Sequence, residues 1–228
     1  MRLAAGLALI VFAGAAHAEP GGTAGVSGVA VTQGELKLEA RTAVFDGGAI
    51  DGDWSHRAQA SYGVTDWWRT QLNLRGAQPD GDDAELTSIG FENAFDFTAT
   101  RDWPVRLGGQ VEYRFGLDDA DDSIEFKLLA QREIAGAATR LNLIAARPVG
   151  ADSDEWSHGY AARAVWQINE TFDLGAEAYG EFDNDAHAIG PRAGVSFGDA
   201  KLSAGYLFST GDDTQADGQF RLALEWAP

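Results

Sequence analysis

The chain has 228 residues, 35 acidic against 17 basic, a net charge of −18, and no cysteine. Disulfides and thiolate metal centres are therefore excluded, and so acidic a chain is a poor partner for nucleic acid. Mean hydropathy is low at −0.21, so the apolar residues matter by their arrangement more than by their number.

The opening residues "MRLAAGLALIVFAGAAHAEP" read as a secretory signal peptide. Arg2 supplies the charged start, Leu3 to Ala15 the apolar run, and Ala16-His17-Ala18 the small-x-small cleavage site. A run of that length is too short for a helix spanning ~30 Å of hydrocarbon. The expected division is residues 1–18 signal peptide, 19–33 a flexible Gly-rich tail ("EPGGTAGVSG"), and 34–228 one all-β domain.

From Gly34 onward the chain alternates with period two. In "ELKLEARTAV" Leu36, Leu38, Ala40 and Val44 share one face, and Glu35, Lys37, Glu39 and Arg41 the other. Successive side chains of a strand point to opposite faces, so this is half-buried β-structure. Such runs lie near 34–45, 53–64, 67–76, 85–97, 104–116, 123–133, 137–147, 155–168, 172–182, 186–197, 201–210 and 218–227. Most have the ~9–11 residues that a tilted strand needs to cross a bilayer. Their connections alternate in kind. Asp-rich links such as "DGGAIDG", "AQPDGDD", "LDDADD" and "GDDTQAD" take turns with tight ones such as "TD", "IAG" and "GDA". Short turns at one end and longer loops at the other, with an even strand count, predict a closed antiparallel 12-stranded transmembrane β-barrel of the outer-membrane type.

Alternation alone does not say which face is wet. Aromatics near strand ends, notably Trp54, Trp68, Trp156, Trp166 and Trp226, read as two girdles at lipid–water boundaries. The charges agree. Thirteen of the 17 basic residues share the polar parity: Lys37, Arg41, Arg57, Arg69, Arg75, Arg106, Arg114, Lys127, Arg140, Arg163, Arg192, Lys201 and Arg221. Each would cost roughly 2–4 kcal/mol facing mid-bilayer lipid. A dozen would exceed the ~5–15 kcal/mol stability of an ordinary domain, so they are expected to line a lumen with Glu92, Asp96, Glu112 and Glu177. Arg132 is the exception in parity, near a strand end where it can snorkel.

Two Trp-Ser-His triplets, at 54–56 and 156–158, raise the question of catalysis. In each, Trp and His share a face and Ser takes the other, so neither Ser55–His56 nor Ser157–His158 forms a dyad. The two strands sit opposite each other in a ring of roughly 12 Å radius. The triplets therefore read as repeated boundary residues. A hydrolase reading survives only at the outer rim, where Asp53 with His56, or Asp183 and Asp185 with His187, imitate an Asp–His pair.

"YGVTDWW" at Tyr62–Trp68 is strand, turn, strand, with Asp66 the expected acceptor of turn N–H groups. With the closing strand "QFRLALEWAP", it resembles small proteobacterial outer-membrane barrels of the channel family linked to the meta-pathway of phenol degradation. The resemblance implies a channel for aromatic compounds and carries no catalytic residues. The aromatic Trp226 stands two residues from the end, where such proteins end on the aromatic itself.

The outer loops carry Asp80, Asp82, Asp83, Asp118, Asp119, Asp121, Asp122, Asp212 and Asp213, and no Lys or Arg. Such a mouth raises the local cation concentration. It offers weak sites for divalent cations and, through them, lipopolysaccharide phosphates. "DADDSIE" at 119–125 resembles a calcium loop but has Ile124 at the turn glycine and Ala130 at the twelfth position, so no metal site is assigned. The expected protein is an exported, monomeric outer-membrane channel for small solutes, without cofactor, surrounded by outer-membrane lipid. A sealed structural barrel and a rim hydrolase stand as alternatives.

Overall fold

The computed structural model describes residues 21–118, 120–150 and 155–228; the expected signal peptide and Asp119 lie outside them. Twelve strands follow in chain order: β1 (Leu36–Asp46), β2 (Trp54–Gly63), β3 (Trp68–Gln78), β4 (Glu85–Asp96), β5 (Arg106–Gly116), β6 (Asp122–Ile134), β7 (Ala137–Val149), β8 (Ser157–Gln167), β9 (Phe172–Glu181), β10 (His187–Phe197), β11 (Ala200–Thr210) and β12 (Gly218–Trp226). Each pairs antiparallel with its sequence neighbours, and β1 closes on β12 from Leu38↔Trp226 to Asp46↔Gly218. Closure removes both sheet edges, so every strand is hydrogen-bonded on both sides.

The tight connections follow from local chemistry. Ala135 (φ 50°) and Gly136 (φ 76°) join β6 to β7 with both central residues left-handed, the two-residue turn whose twist suits a hairpin. Asn169 Oδ1 accepts the N–H groups of Thr171 and Phe172, each at 2.9 Å, between β8 and β9. In the β2–β3 turn the acceptor is Thr65 Oγ1, which takes N–H from Trp67 (3.3 Å) and Trp68 (3.0 Å). The expectation for Asp66 is thus corrected: the hydroxyl one residue earlier reaches those groups, and Asp66 is exposed.

The two faces of the wall differ in kind. Leu36, Leu38, Leu72, Leu74, Phe91, Leu128, Leu141, Leu174, Ile189, Leu202, Leu222 and Leu224 are exposed on the outside. Polar and charged side chains point inward, and Asn73, Glu92, Glu112, Asn142, Asp173 and Gln219 are almost wholly buried. A belt of exposed apolar side chains running round the whole molecule is far more than a water-facing surface carries.

The Gly-rich tail is not loose. Residues 21–34 run down the interior of the barrel before β1 begins. Near the loop end the Gly22 N–H meets Gln219 Oε1, and Arg221 bonds the Ala24 carbonyl. Midway, Ser27 N–H donates to Asn142 Oδ1 (2.7 Å), and Asn142 Nδ2 donates back to the Ser27 carbonyl (3.0 Å). Val29 N–H reaches Gln131 Oε1 (3.2 Å), and Gly34 N–H reaches the Gly63 carbonyl (2.8 Å) at the turn end. Composition suggests disorder because this stretch has little apolar surface of its own. Inside a tube the wall supplies what the segment lacks, namely partners for its backbone and a seat for its two buried valines.

Candidate functional site: the barrel lumen

The interior holds two banks of charge, which meet where Arg41 on β1 faces Arg57 on β2. In the first, on β2 to β6, Glu112 is the hub. It accepts Asn73 Nδ2 (2.8 Å) and Arg75 Nη2 (2.7 Å), with Arg114 at 3.8 Å. Arg57 donates to Asn73 Oδ1 (2.9 Å) and lies 3.9 Å from Glu92, which Arg69 approaches to 4.0 Å. Lys127 pairs with Glu125 at 2.8 Å. Arg106 pairs with Asp96, whose carboxylate also caps Thr98. The register explains the density: Arg57 faces Arg75, Glu92 faces Glu112, and Glu112 faces Glu125 across successive strands. Like charges directly opposite repel, and the relief comes from opposite charges within a strand, as Lys127 to Glu125, or across an intervening one, as Arg75 to Glu112.

The second bank, on β7 to β12 and β1, centres on Glu177. Arg221 (2.8 Å), Arg192 (3.5 Å) and Arg163 (3.8 Å) share this one carboxylate. Asp173 takes Arg192 (2.9 Å) and Lys201 (2.6 Å), Glu225 takes Lys37 (3.0 Å), and Glu39 takes Arg41. Arg140 lies on the same wall and has no ion-pair or hydrogen-bond partner among the described residues. A chamber of about 380 Å³ is lined by these residues, from Gly22 down to Gly136 in the β6–β7 turn.

The segment sits in an apolar seat on β7 to β11 that charge alternation does not foreshadow. Val26 packs with Ala161, Tyr179, Ala188 and Leu207, flanked by Ala24 and Ile144. Leu129 is buried inside as well. All these wall residues occupy lumen parity. Their signal in the sequence is a break in alternation: Leu128-Leu129 and Tyr206-Leu207-Phe208 are apolar on both faces. The segment's glycines mark where it presses on the wall, since a Cβ at Gly25 would collide with the Arg41 guanidinium, and one at Gly28 with that of Arg140.

The tryptophans gather at both ends. Trp54 and Trp156 stand at the loop end, Trp68, Trp166 and Trp226 at the turn end, with Trp67 stacked on Phe95 and Trp103 under Arg101 added to the expected set. His56, His158 and His187 lie on the outer face of the wall. His56 stacks on Trp54 and shares a hydrogen bond with Thr42 Oγ1 (3.0 Å). His158 lies 3.2 Å from Asp183, and His187 3.7 Å from Asp185. Ser157 Oγ donates to the Ala146 carbonyl.

Of the acidic loop residues, Asp80, Asp82, Asp83, Asp118, Asp121, Asp212 and Asp213 lie in the loop-end connections. Several are tied across loops: Asp53 Oδ1 accepts the Asp80 N–H (2.8 Å), and Asp213 Oδ2 that of Asp185 (2.9 Å). Asp122 departs from the expected role. It begins β6 on the outer face, where its carboxylate accepts Tyr113 OH (2.8 Å) and the Gly116 N–H (3.0 Å). Among the described residues no three His, Asp or Glu converge as a metal-ligand set.

On the outside, an apolar groove of about 600 Å³ runs over β10 to β12 and β1. Pro191 cannot donate to the ladder, and the β10–β11 register skips Gly190 and Pro191. Groove and chamber share Pro191, Arg192, Gly205 and Arg221, so they lie on opposite faces of the same stretch of wall.

The sequence matches no protein-family model and no curated protein. Solved structures do match in shape. The KdgM porin in complex with disordered oligogalacturonate superposes with a TM-score of 0.63 at 8% identity, over 83% of this chain and 98% of that one. The COG4313 outer membrane channel from Pseudomonas putida F1 gives 0.62 at 12% identity, over 87% and 97%. The translocator domain of the autotransporter NalP from Neisseria meningitidis gives 0.54 at 12%, over 86% and 89%. The fold is the outer-membrane β-barrel. At such low identity these likenesses concern the fold, and the narrower kinship to the phenol meta-pathway channels stays a resemblance of short motifs.

Proposed function

We propose that this protein is an outer-membrane channel that passes small solutes through a narrow, charged lumen, with an acidic mouth that concentrates cations. The observation that carries the reading is the segregation of side chains on a closed wall: leucines out, guanidiniums and carboxylates in. An 11-residue strand such as β1, rising about 3.4 Å per residue and tilted ~40°, covers roughly 28 Å, which matches the hydrocarbon thickness. The wall thus sits in lipid with its loops outside, its tight turns in the periplasm, and its Trp girdles at the two boundaries. Export by the signal peptide and a monomeric state complete the proposal.

Residues 21–34 narrow the path and favour a second reading, a barrel sealed by its own N-terminal segment. Planar-bilayer recording of the folded protein beside a variant lacking residues 21–33 separates the two. The channel reading expects small steps from the full chain and larger ones from the deletion. Steps from the deletion alone make the segment a seal. Silence from both removes the channel. Lipase and peptide-cleavage assays with His56, His158 and His187 each changed to Ala test the remaining hydrolase alternative, which predicts activity lost in at least one variant.

A further inference from the structure

The chain is strongly acidic, yet the chamber in its lumen has surplus positive charge, with seven basic against four acidic side chains in its lining. Arg140 on β7 and Arg163 on β8 are direct cross-strand partners on the inner face. Like charges so placed repel, and a carboxylate between them is the usual remedy. Here the remedy is incomplete. Glu177, the nearest carboxylate to Arg163 at 3.8 Å, is engaged more closely by Arg221 and Arg192. Arg140 has no carboxylate within ion-pair distance among the described residues. Its guanidinium lies against the backbone of Gly28, where a side chain would displace it. Both arginines border the 380 Å³ chamber, a volume within the range of small-molecule sites, roughly 300–1,000 Å³.

We propose that this chamber is a binding site for a small carboxylate-bearing solute, held between the guanidiniums of Arg140 and Arg163. A guanidinium presents a planar fork of N–H donors that a carboxylate matches bidentately. Two forks facing one cavity suit a dicarboxylate best. The acidic loops at the far end repel such a solute while the arginines retain it, so mouth and chamber act on a carboxylate with opposite signs. The proposal rests on the channel reading for how a solute arrives; binding is measured without it.

The test is calorimetric titration of the folded, detergent-solubilised protein with succinate and its neutral analogue succinamide at low salt. Succinate is expected to bind at least about tenfold tighter than succinamide, since only the charged form receives charge-assisted hydrogen bonds. Arg140→Gln and Arg163→Gln should each weaken succinate about tenfold or more, and Arg140→Lys by less. Arg101→Gln, an equal change of net charge outside the lumen, should leave it unaltered. Equal binding of succinate and succinamide by the unaltered protein overturns the proposal, and needs no variant to fold. So does unchanged succinate affinity in both glutamine variants, once their heat-shifted gel mobility shows closed barrels. Conductance, recorded separately, keeps the two ideas apart: binding without current removes the channel and leaves the site, and current without binding does the reverse.

Discussion

Asn142 is the strongest single tie between the wall and the segment inside it. It is fully buried, and it both accepts from Ser27 N–H at 2.7 Å and donates to the Ser27 carbonyl at 3.0 Å. Asn142→Ala removes both bonds while leaving the strand ladder intact, because β7 pairs with β6 and β8 through its backbone. At about 0.5–1.5 kcal/mol net for each hydrogen bond, the segment loses ~1–3 kcal/mol of hold. That corresponds to about a 5- to 150-fold rise in the population with the segment displaced. Single-channel recording reads this as time spent at a high-conductance level, with the 21–33 deletion defining that level. The expected result is brief, frequent openings in Asn142→Ala that match the deletion in size. If the variant and the deletion both conduct as the unaltered protein does, the segment does not obstruct the path and the reasoning fails.

Glu112→Ala strands Arg75 and Asn73 inside the wall; removing one partner of a buried pair costs about 3–5 kcal/mol. A lower urea midpoint by tryptophan fluorescence should show it, and a loss below about 1 kcal/mol would mean that water replaces the carboxylate. Leu72→Arg, mid-strand on the outer face, should cost roughly 2–4 kcal/mol of folding into liposomes, against about 0–1 kcal/mol for the same change at Leu38 near the end of its strand. Equal costs at both positions would contradict a lipid-facing wall. Changing Asp80, Asp82, Asp83, Asp212 and Asp213 to Asn should shift the reversal potential away from cations in ~0.1 M salt, where the Debye length is about 10 Å, and hardly at all in 1 M, where it is ~3 Å. A shift of the same size at both salts would place the effect inside the lumen.

The barrel was legible because its two solvents differ so sharply. An eleven-residue strand such as "WRTQLNLRGAQ" states its own faces: Leu72 and Leu74 can only suit one environment, Gln71 and Asn73 the other. Strand number and turn positions follow from where that alternation stops. The lumen charges were legible for the same reason, residue by residue. Their pairing was not, because Glu112 meets Arg75 across an intervening strand, and neither residue knows its partner until the ring closes.

The N-terminal segment shows where local reading ends. "GGTAGVSGVAV" has neither alternation nor enough apolar surface to order itself. Its order comes from Asn142, Gln131, Gln219 and Leu207, more than 90 residues away in sequence. The sequence by itself determined which side of every strand is oily and how many strands there are, since each such preference is a property of one side chain and its solvent. Only the tertiary structure decided what fills the tube and that Arg140 has no carboxylate within ion-pair distance among the described residues, since those depend on distances that exist after the twelfth strand has met the first.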